Sequence, residues 1–354
     1  MKLLRDFFYY FLSLLYAAAV CVRNKCYDWR IFKSEKFRLP VIAVGNITVG
    51  GTGKTPHTEW LASLLQTTAV TAVLSRGYKR KTKGFRYVET TATVQQVGDE
   101  PLQIKRKNPA LTVAVDANRV AGIRRLKEDV PQLGVVILDD AYQHRKVHPA
   151  LSVLLVDYNR PLHTDHYLPY GRLRDNVSQK RRADVVIVTK CPANMQPIEQ
   201  RIITKHLNLY PYQQLYFTRF DYGAAKAVFD GNAFPDVPPK QAAALTGIAD
   251  PATFIDYVRG NYQLVQHLNF PDHHFFTPQD IAKINAISTT YPEAFFFTTE
   301  KDAQRLRMAE GLNEEVKKRL FYIPVTVSFL SSSDGTKFAA FLTKLVAGGK
   351  AACR

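Results

Sequence analysis

One twelve-residue stretch, residues 45–56, constrains the fold more than any other part of the sequence. It reads Gly-Asn-Ile-Thr-Val-Gly-Gly-Thr-Gly-Lys-Thr-Pro, follows an apolar run at residues 39–44 and leads into an amphipathic helical pattern at residues 58–65. A buried strand, a glycine-rich turn and a helix, in this order, are the context that a phosphate-binding loop requires. The glycines let backbone N–H groups turn toward phosphate oxygens, and the helix N-terminus adds partial positive charge.

The residue types in this loop assign roles to individual side chains. Lys54 is predicted to reach the β- and γ-phosphates of a nucleotide, and the Thr55 hydroxyl to bind Mg²⁺. The strict motif has glycine six residues before the lysine, where this chain has Thr48. The structural alternative is an ordinary glycine-rich strand–helix turn. We predict that the nucleotide is bound by the loop residues Thr48, Val49, Gly50, Gly51, Thr52, Gly53, Lys54 and Thr55.

A second motif follows an apolar run at residues 135–138, which ends in Asp139 and Asp140. Apolar residues that end in aspartate place a carboxylate beside Mg²⁺ at the end of a strand in nucleotide-binding proteins. Adjacent carboxylates repel each other, so a metal or basic neighbours are needed to keep both ionised. Together with the phosphate loop upstream, this motif indicates a nucleotide-binding α/β domain.

The remaining pattern predicts two α/β units. Buried strands are predicted at residues 70–75, 113–116, 151–157 and 184–190, which gives a largely parallel sheet with helices on both faces. The composition changes at residues 215–220, and a smaller α/β unit follows, built on strands at 243–248 and 294–299. Residues 320–329 are predicted to return beside 215–220 as a hinge ribbon. The predicted segments are an N-terminal helix (1–30), a P-loop NTPase-like domain (31–214), a second domain with linker strands (215–330) and a C-terminal helix (331–354).

The N-terminal segment is uncharged from residue 7 to residue 22 and has basic residues on both sides. As a helix it spans about 24 Å, which is short of a hydrocarbon core of roughly 30 Å. A cleavable signal peptide is the main alternative, because residues 17–19 are three alanines; a full membrane span is another. Secretion would separate the phosphate loop from its nucleotide. We therefore predict a retained helix that lies in the cytoplasmic leaflet of the membrane.

The chain has a net charge of +17, which favours an anionic partner: a nucleic acid, a phospholipid surface or a phosphorylated substrate. We find no nucleic-acid recognition module in the sequence and predict no nucleic-acid partner. Four scattered cysteines without a C-x-x-C pair are typical of a reducing compartment.

Several short motifs, in order along the chain, resemble tetraacyldisaccharide 4'-kinase, the lipid A 4'-kinase of Gram-negative bacteria. They are the phosphate loop from residue 44, Ser-Arg-Gly-Tyr at 75–78, Gly-Asp-Glu-Pro at 98–101, Asp-Asp-Ala-Tyr-Gln-His at 139–144, Gly-Arg-Leu-Arg-Asp at 171–175, Gly-Ile at 247–248, Phe-Pro-Asp-His at 270–273 and Thr-Glu-Lys-Asp at 299–302. The family pattern has Gly-Phe where this chain has Ala141-Tyr142, and Glu where it has Asp175. The shorter Asp175 side chain makes a direct Mg²⁺ contact less secure.

The resemblance implies transfer of the ATP γ-phosphoryl group to the 4'-hydroxyl of an acylated glucosamine disaccharide 1-phosphate. It implies two α/β domains joined by a two-stranded linker, with chemistry in the cleft at the cytoplasmic face of the bacterial inner membrane. Asp99 acts as the base with His273 from the second domain, beside Lys54. Mg²⁺ binds Thr55 and Asp139, with Asp140 or Asp175. The resemblance further makes Arg76, Arg119 and Arg174 candidates for binding the substrate phosphate or the ATP phosphates, and places Gln143 and His144 near the substrate or the metal.

Three other protein classes share some of these features. A membrane-associated partitioning or targeting ATPase has a similar loop, but its signature lysine is replaced here by Val49. A non-enzymatic nucleic-acid binder would match the charge alone. A GTPase would carry an Asn-Lys-x-Asp motif, and residues 188–191 read Val-Thr-Lys-Cys.

Overall fold

The structure is a computed structural model, and it describes residues 2–229 and 231–348. The last six residues of the predicted C-terminal segment, 349–354, lie outside the described residues. The helices are α1 (Lys2–Asp28), α2 (Lys54–Leu65), α3 (Val94–Val97), α4 (Asp99–Lys107), α5 (Arg119–Asp129), α6 (Pro197–Leu207), α7 (Ala252–Asn261), α8 (Pro278–Thr290), α9 (Glu300–Leu306), α10 (Glu314–Arg319) and α11 (Ser332–Ala347), with 3₁₀ turns at Leu162–Thr164 and Val177–Arg182.

The strands predicted from the sequence fall at or close to their expected positions, and further strands join them. They are β1 (Glu35–Lys36), β2 (Val41–Gly45), β3 (Thr71–Ser75), β4 (Arg86–Tyr87), β5 (Thr112–Val115), β6 (Val135–Leu138), β7 (Val147–His148), β8 (Leu151–Asp157), β9 (Val185–Thr189), β10 (Gln214–Tyr222), β11 (Lys226–Ala227), β12 (Gln241–Thr246), β13 (Gln263–Asn269), β14 (Phe295–Thr299), β15 (Leu320–Ile323) and β16 (Val325–Phe329).

Within the described residues, nine strands form a large sheet in the order β16-β10-β9-β8-β2-β6-β3-β5-β4. Pairing is parallel from β10 to β5 and antiparallel at both edges. The strand that precedes the phosphate loop, β2, lies directly beside β6, which ends at the predicted aspartate pair. Because parallel strands end at the same edge, the two motifs meet at the carboxyl edge, where open α/β sheets bind ligands.

Alternation along β2 divides the core of this sheet into two layers. Ile42 packs with Leu61 of α2 on one face, whereas Val41 packs with Ile123 of α5 on the other. All five residues of β2 are buried, as expected for a central parallel strand covered on both faces. This packing fixes the position of α2, and therefore of the phosphate loop that leads into it.

A five-stranded sheet, in the order β11-β15-β14-β12-β13, forms the core of the second unit. The predicted return strand is confirmed: β16 pairs antiparallel with β10, with Tyr222 opposite Val325 and Thr218 opposite Phe329. Residues 320–329 are nevertheless two strands. Residues 320–323 form β15 of the small sheet, and Pro324, which has no N–H to donate to a ladder, separates it from β16 of the large sheet.

The predicted C-terminal helix is present as α11 and packs into the core of the large sheet. Phe338 and Leu342 are fully buried in the same cluster as Leu61 of α2. The Phe338 ring stacks on Trp60 with centroids 5.8 Å apart and planes within 4° of parallel. The chain therefore returns from the small sheet to support the helix that carries the phosphate loop.

The N-terminal helix α1 is attached to the large sheet by one polar stripe. Ser13 donates to the carbonyl of Tyr167 at 2.8 Å, and Asn24 donates to Asp175 at 2.6 Å. Residues 5–28 are long and apolar enough to cross a membrane by length and composition. One stripe of the helix nevertheless packs against the rest of the protein.

Phe338→Ala is expected to lower the free energy of unfolding by about 3–5 kcal/mol, because it opens a cavity beside Trp60. Urea unfolding at constant pH measures this change. The matched control is Lys337→Ala on the exposed face of the same helix, which is expected to stay within about 0.5 kcal/mol of the unmodified chain. Equal effects of the two substitutions would contradict the packing described for α11.

Candidate active site

A cavity of about 910 Å³ lies between the carboxyl edge of the large sheet and the second unit. The phosphate loop contributes Val49, Gly50, Gly51, Gly53, Lys54 and Thr55 to its wall. The second unit and the linker strands contribute His273, Lys301, Phe220 and Tyr222, among others. Both units are therefore required to build the cavity.

The loop backbone leaves the start of α2 open to a ligand. Gly50 and Gly53 have φ values of 110° and 82°, a region that favours glycine. Gly53 is the N-cap of α2 and provides no side-chain cap, so the first N–H groups of this helix are available to an anion. A Cβ at Gly53 would also lie 2.6 Å from the ring of Phe220 on linker strand β10. The phosphate loop is thus in direct contact with the linker.

Two loop residues predicted to contact the nucleotide, Thr48 and Thr52, have side chains outside the cavity wall. Thr48 forms an isolated bridge with Leu173, and the Thr52 hydroxyl accepts a hydrogen bond of 2.8 Å from Asn46. Both threonines are buried, and neither lies on the cavity wall. Their side chains brace the loop against neighbouring segments, so the predicted nucleotide contact at these two positions is limited to the backbone.

The aspartate pair after β6 is split between two environments. Asp139 is fully buried and accepts hydrogen bonds from Thr58 at 3.1 Å and Ser75 at 3.4 Å. Burial, together with the charges of Glu100 and Asp140, raises its pKa to about 7. A nearby cation would therefore stabilise the ionised form of the Asp139 carboxyl group.

Asp140 lies on the cavity wall, with φ at 46°. Arg174 donates to both of its oxygens, at 2.8 and 3.2 Å, and the Lys54 ammonium lies 3.9 Å away. Burial alone would raise the pKa of Asp140, but Lys54 and Arg174 hold it below its usual range. Asp140 is thus ionised and joins the phosphate loop to the basic wall.

These residues fit a magnesium ion that is bound chiefly by phosphates. Mg²⁺ in nucleotide sites uses one or two carboxylates together with phosphate oxygens and water. Among the described residues no cluster of three or more His, Cys, Asp or Glu side chains forms a metal site by itself. Thr55 and Asp140 lie on the cavity wall, and the carboxyl group of Asp139, crowded by Glu100 and Asp140, is buried next to them outside the wall; together they match the incomplete ligand set that such an ion requires.

Asp175, the other predicted metal ligand, is placed elsewhere. Its carboxylate is fully buried, accepts hydrogen bonds from Asn24 of α1 at 2.6 Å and from the backbone N–H of Asn176 at 2.9 Å, and lies 3.5 Å from Arg182. It is absent from the cavity wall. Oδ1 accepts both hydrogen bonds, and Oδ2 is buried without a hydrogen-bond partner among the described residues, so the metal contact of Asp175 stays a prediction.

The three arginines predicted to bind phosphate and the two residues predicted near the substrate or metal come together on one wall of the cavity. They are Arg76, Arg119, Gln143, His144 and Arg174. Tyr16 and Arg23 of α1 border the same wall, and Arg23 donates to the carbonyl of Gln143. The wall therefore joins a cationic surface to the N-terminal helix.

Arg119 and His144 of this wall are both affected by burial. Arg119 is buried and donates to the backbone carbonyls of Asp116 at 2.5 Å and Asp139 at 3.2 Å. Burial and the charge of Arg119 lower the pKa of His144 to about 4. Its buried Nε2 atom has no hydrogen-bond partner within the described structure. His144 is thus neutral at pH 7 and has one ring nitrogen ready for a ligand.

Asp99 and His273 come from different units and meet across the cavity. Nδ1 of His273 lies 2.9 Å from Oδ2 of Asp99, and the Lys301 ammonium lies 3.1 Å from Nε2 of the same ring. An ammonium group has no acceptor, so Nε2 accepts from Lys301 and Nδ1–H donates to Asp99. Burial alone would raise the pKa of Asp99, but Lys301, His273 and Arg305 hold it below its usual range.

Sequence reasoning missed the cations of α9 that surround this pair. Arg305 donates to Asp99 at 2.7 Å and is also paired with Asp302, and Lys301 is 3.1 Å from Glu100. The motif Thr-Glu-Lys-Asp at 299–302 is part of the family resemblance, but the sequence analysis predicts no function for its residues. The available signal was the spacing of Lys301 and Arg305, since residues four apart share one face of a helix.

Comparison with known proteins shows the family of this chain. Residues 5–347 match the family model described as tetraacyldisaccharide-1-P 4'-kinase. The chain belongs to the tetraacyldisaccharide-1-P 4'-kinase family. It is 46% identical over 329 residues to the tetraacyldisaccharide 4'-kinase of Phocaeicola vulgatus, covering 91% of this chain and 90% of the relative. The enzyme of the same name from Bacteroides thetaiotaomicron is 44% identical over 339 residues, covering 91% and 89%.

A solved structure of the family has the same architecture. It is LpxK from Aquifex aeolicus, described as an apo form in complex with ATP. The TM-score is 0.70 at 27% sequence identity, and the match covers 94% of this chain and 97% of the other. The α/β fold and the family resemblance expected from the sequence are thus confirmed.

His57 of α2 gives a pH-dependent test of how the phosphate-loop helix is packed. It is fully buried between the Gly53 carbonyl and the Thr218 hydroxyl, and burial lowers its pKa from 6.5 to about 4. The unfolded chain therefore binds a proton below pH 6.5 that the folded chain does not, so this contribution to stability is lost as the pH falls from 6.5 toward 4.

Between pH 7.5 and pH 5, His57 is expected to account for a loss of about 2 kcal/mol in the free energy of unfolding. Urea unfolding of the unmodified chain and of His57→Gln at both pH values measures this share. The His57→Gln chain is expected to lose less stability by that amount. Equal losses in both chains would contradict the buried neutral state of His57.

Proposed function

We propose that this protein transfers the γ-phosphoryl group of ATP to the 4'-hydroxyl of an acylated glucosamine disaccharide 1-phosphate, a step in lipid A biosynthesis. The observation that carries the proposal is the meeting of His273 and Asp99 across the cavity that also contains the phosphate loop. A nucleotide on the loop and a sugar hydroxyl beside His273 would share this cavity. The family relation of the chain supports the same reaction.

In the proposed complex the phosphate loop and Lys54 hold the ATP phosphates. Thr55 and Asp139 would hold Mg²⁺, with Asp140 beside them. Bound Mg²⁺ neutralises phosphate charge and aligns the group that is transferred. Lys54 adds a fixed positive charge where negative charge develops on the phosphoryl oxygens.

We assign removal of the hydroxyl proton to the Asp99–His273 pair. His273 lies on the cavity wall and Asp99 does not, so Nε2 of His273 is the atom within reach of a sugar hydroxyl. In this arrangement Lys301 gives up its contact with Nε2 when the hydroxyl takes its place. The Asp99 carboxylate orients the ring through Nδ1–H and stabilises the imidazolium that forms. Arg305 keeps this carboxylate ionised and fixed.

We propose that the cationic wall binds the phosphate of the disaccharide. Arg76, Arg119 and Arg174 supply charge, and Gln143 and neutral His144 supply hydrogen-bonding groups. Tyr16 and Arg23 place α1 beside the same wall, so acyl chains bound there would reach the exposed apolar face of this helix. The protein would then act on its substrate at the cytoplasmic face of the bacterial inner membrane, held by α1 on one side of the bilayer.

We also propose that residues 31–214 and 215–330 act as two bodies that close on the substrates. Helices α4 and α9 face each other across the junction, where Lys107 bridges Glu59 at 2.8 Å and Glu300 at 2.9 Å. The linker strands β10 and β16 lie at the edge of the large sheet, and Phe220 touches the phosphate loop. A nucleotide bound to the loop would therefore affect the position of the linker strands.

Removing the phosphate-loop charge tests the proposed site. Lys54→Ala is expected to lower turnover by about a hundredfold or more, since it removes electrostatic stabilisation of the phosphoryl group. Transfer of label from γ-labelled ATP to purified disaccharide 1-phosphate in detergent micelles measures the rate. Lys283→Ala, an exposed lysine of the second unit outside the cavity, is the control and is expected to leave this rate unchanged.

Variants of the Asp99–His273 pair test the base. Asp99→Ala and His273→Ala are each expected to lower turnover about a hundredfold, and the double variant no more than the worse single one, because the two residues act as a unit. Circular dichroism and unfolding midpoints check that each variant folds. Asp99→Asn keeps the size of the side chain beside buried Arg305. Near-normal turnover of a folded Asp99→Asn protein would exclude the assignment.

A further inference from the structure

The two faces of α1 have different environments. One stripe faces the protein and contains Ser13, Tyr16, Val20 and Asn24, three of which donate hydrogen bonds to the large unit. The opposite stripe is exposed and has the spacing of one helical face. Its members are Phe8, Phe11, Leu15, Ala18, Val22 and Lys25.

Residues 29–33, Trp-Arg-Ile-Phe-Lys, extend the exposed stripe beyond the end of the helix, and we call them the Trp29 loop. The N–H of Trp29 donates to the carbonyl of Lys25 at 2.8 Å, which adds one turn and places Trp29 after Lys25 on the same face. The ammonium of Lys25 lies 5.8 Å from the centre of the Trp29 ring. Trp29 is 68% exposed and Ile31 63% exposed.

The Trp29 loop has a fixed conformation. Arg30 adopts a φ of 62°, and the N–H of Phe32 returns to the carbonyl of Cys26 at 3.0 Å. The rings of Tyr27 and Phe32 pack edge to face, 5.3 Å apart. The loop therefore holds Trp29 and Ile31 toward solvent although its backbone is closed.

We propose that the Trp29 loop is a second membrane anchor, which inserts Trp29 and Ile31 among the headgroups of an anionic phospholipid surface. With the apolar face of α1 as the first anchor, the helix then lies in the plane of the membrane. This inference rests on the membrane association proposed above and extends it to a separate segment.

The composition of the loop favours a phospholipid surface as its partner. Tryptophan prefers the membrane–water interface, and cations beside it are attracted by anionic headgroups. Lys25, Arg30 and Lys33 surround the exposed apolar side chains. The neighbouring carboxylate, Asp28, is already neutralised by Arg145 at 2.7 Å and Arg181 at 2.5 Å. The loop thus presents positive charge and apolar surface together.

The attachment of α1 sets the orientation. From Phe8 to Trp29 the exposed stripe runs about 30 Å along the helix axis. Over about half of this length the opposite stripe is fixed to the protein, at Ser13, Tyr16 and Asn24. A helix that is bound along its side in this way can bring both ends of its exposed stripe to one surface only if it lies along that surface.

The chain has two tryptophans, Trp29 and Trp60, which makes each one a separate fluorescent probe. Trp60 packs against Phe329 and Phe338, at 5.2 and 5.8 Å, inside the large unit. In the Trp60→Phe protein, vesicles of phosphatidylglycerol and phosphatidylcholine are expected to shift Trp29 emission to shorter wavelength. Lipids brominated in their acyl chains are expected to quench Trp29 at least about threefold more than Trp60 in the Trp29→Phe protein.

A double variant, Trp29→Ser with Ile31→Ser, is expected to weaken binding to these vesicles about tenfold in a sedimentation assay. Val237→Ser, which removes an 81% exposed apolar side chain from the second unit, is the matched control and is expected to bind normally. Circular dichroism confirms that both variants fold.

Two results would overturn the inference. If the Trp60→Phe protein sediments with vesicles but Trp29 is neither shifted nor quenched, the loop is not an anchor, although the membrane association stands. If it does not sediment with vesicles at all, the membrane association fails and the anchor with it.

Discussion

The arrangement of the two units depends most on the contacts of one buried carboxylate, that of Asp99. It begins α4 of the large unit, and its partners Arg305 and His273 belong to the second unit. A buried carboxylate is costly unless it is paired, and here both hydrogen-bonding partners, one of them the Arg305 guanidinium, come from the opposite side of the cavity. The ion pair therefore favours the closed arrangement of the two units. The same contact orients the imidazole proposed to accept the substrate proton, so closure and catalytic geometry depend on one interaction.

The phosphate loop is in direct contact with the linker that leads to the second unit. Gly53 has no room for a Cβ because Phe220 of the linker lies against it, and His57, one turn later, contacts Thr218 of the same strand. The linker is thus in contact with the loop that binds phosphate and continues into the unit that carries His273. A chain built in this way can couple nucleotide binding to the position of the base without a separate signalling element.

The N-terminal helix connects this chemistry to a surface. Asn24 of α1 holds Asp175, and Arg23 reaches Gln143 on the cationic wall. The helix therefore borders the cavity in addition to carrying the exposed apolar face. Asp175, which stands in a motif beside the cavity residue Arg174, is the side chain that accepts the hydrogen bond from Asn24 of this helix.

Local sequence patterns were enough to predict the strand–loop–helix context, the strand-end aspartates and the central parallel strands, because these follow from local periodicity and from glycine conformation. The family resemblance added the pairing of Asp99 with His273. Only the tertiary structure placed Arg305 and Lys301 around that pair, buried the side chains of Thr48 and Thr52 behind the loop, and returned α11 to the core beside Trp60. These contacts join residues far apart in the chain. Whether a polar side chain meets a ligand or a distant neighbour is fixed by packing between elements, which no local pattern records.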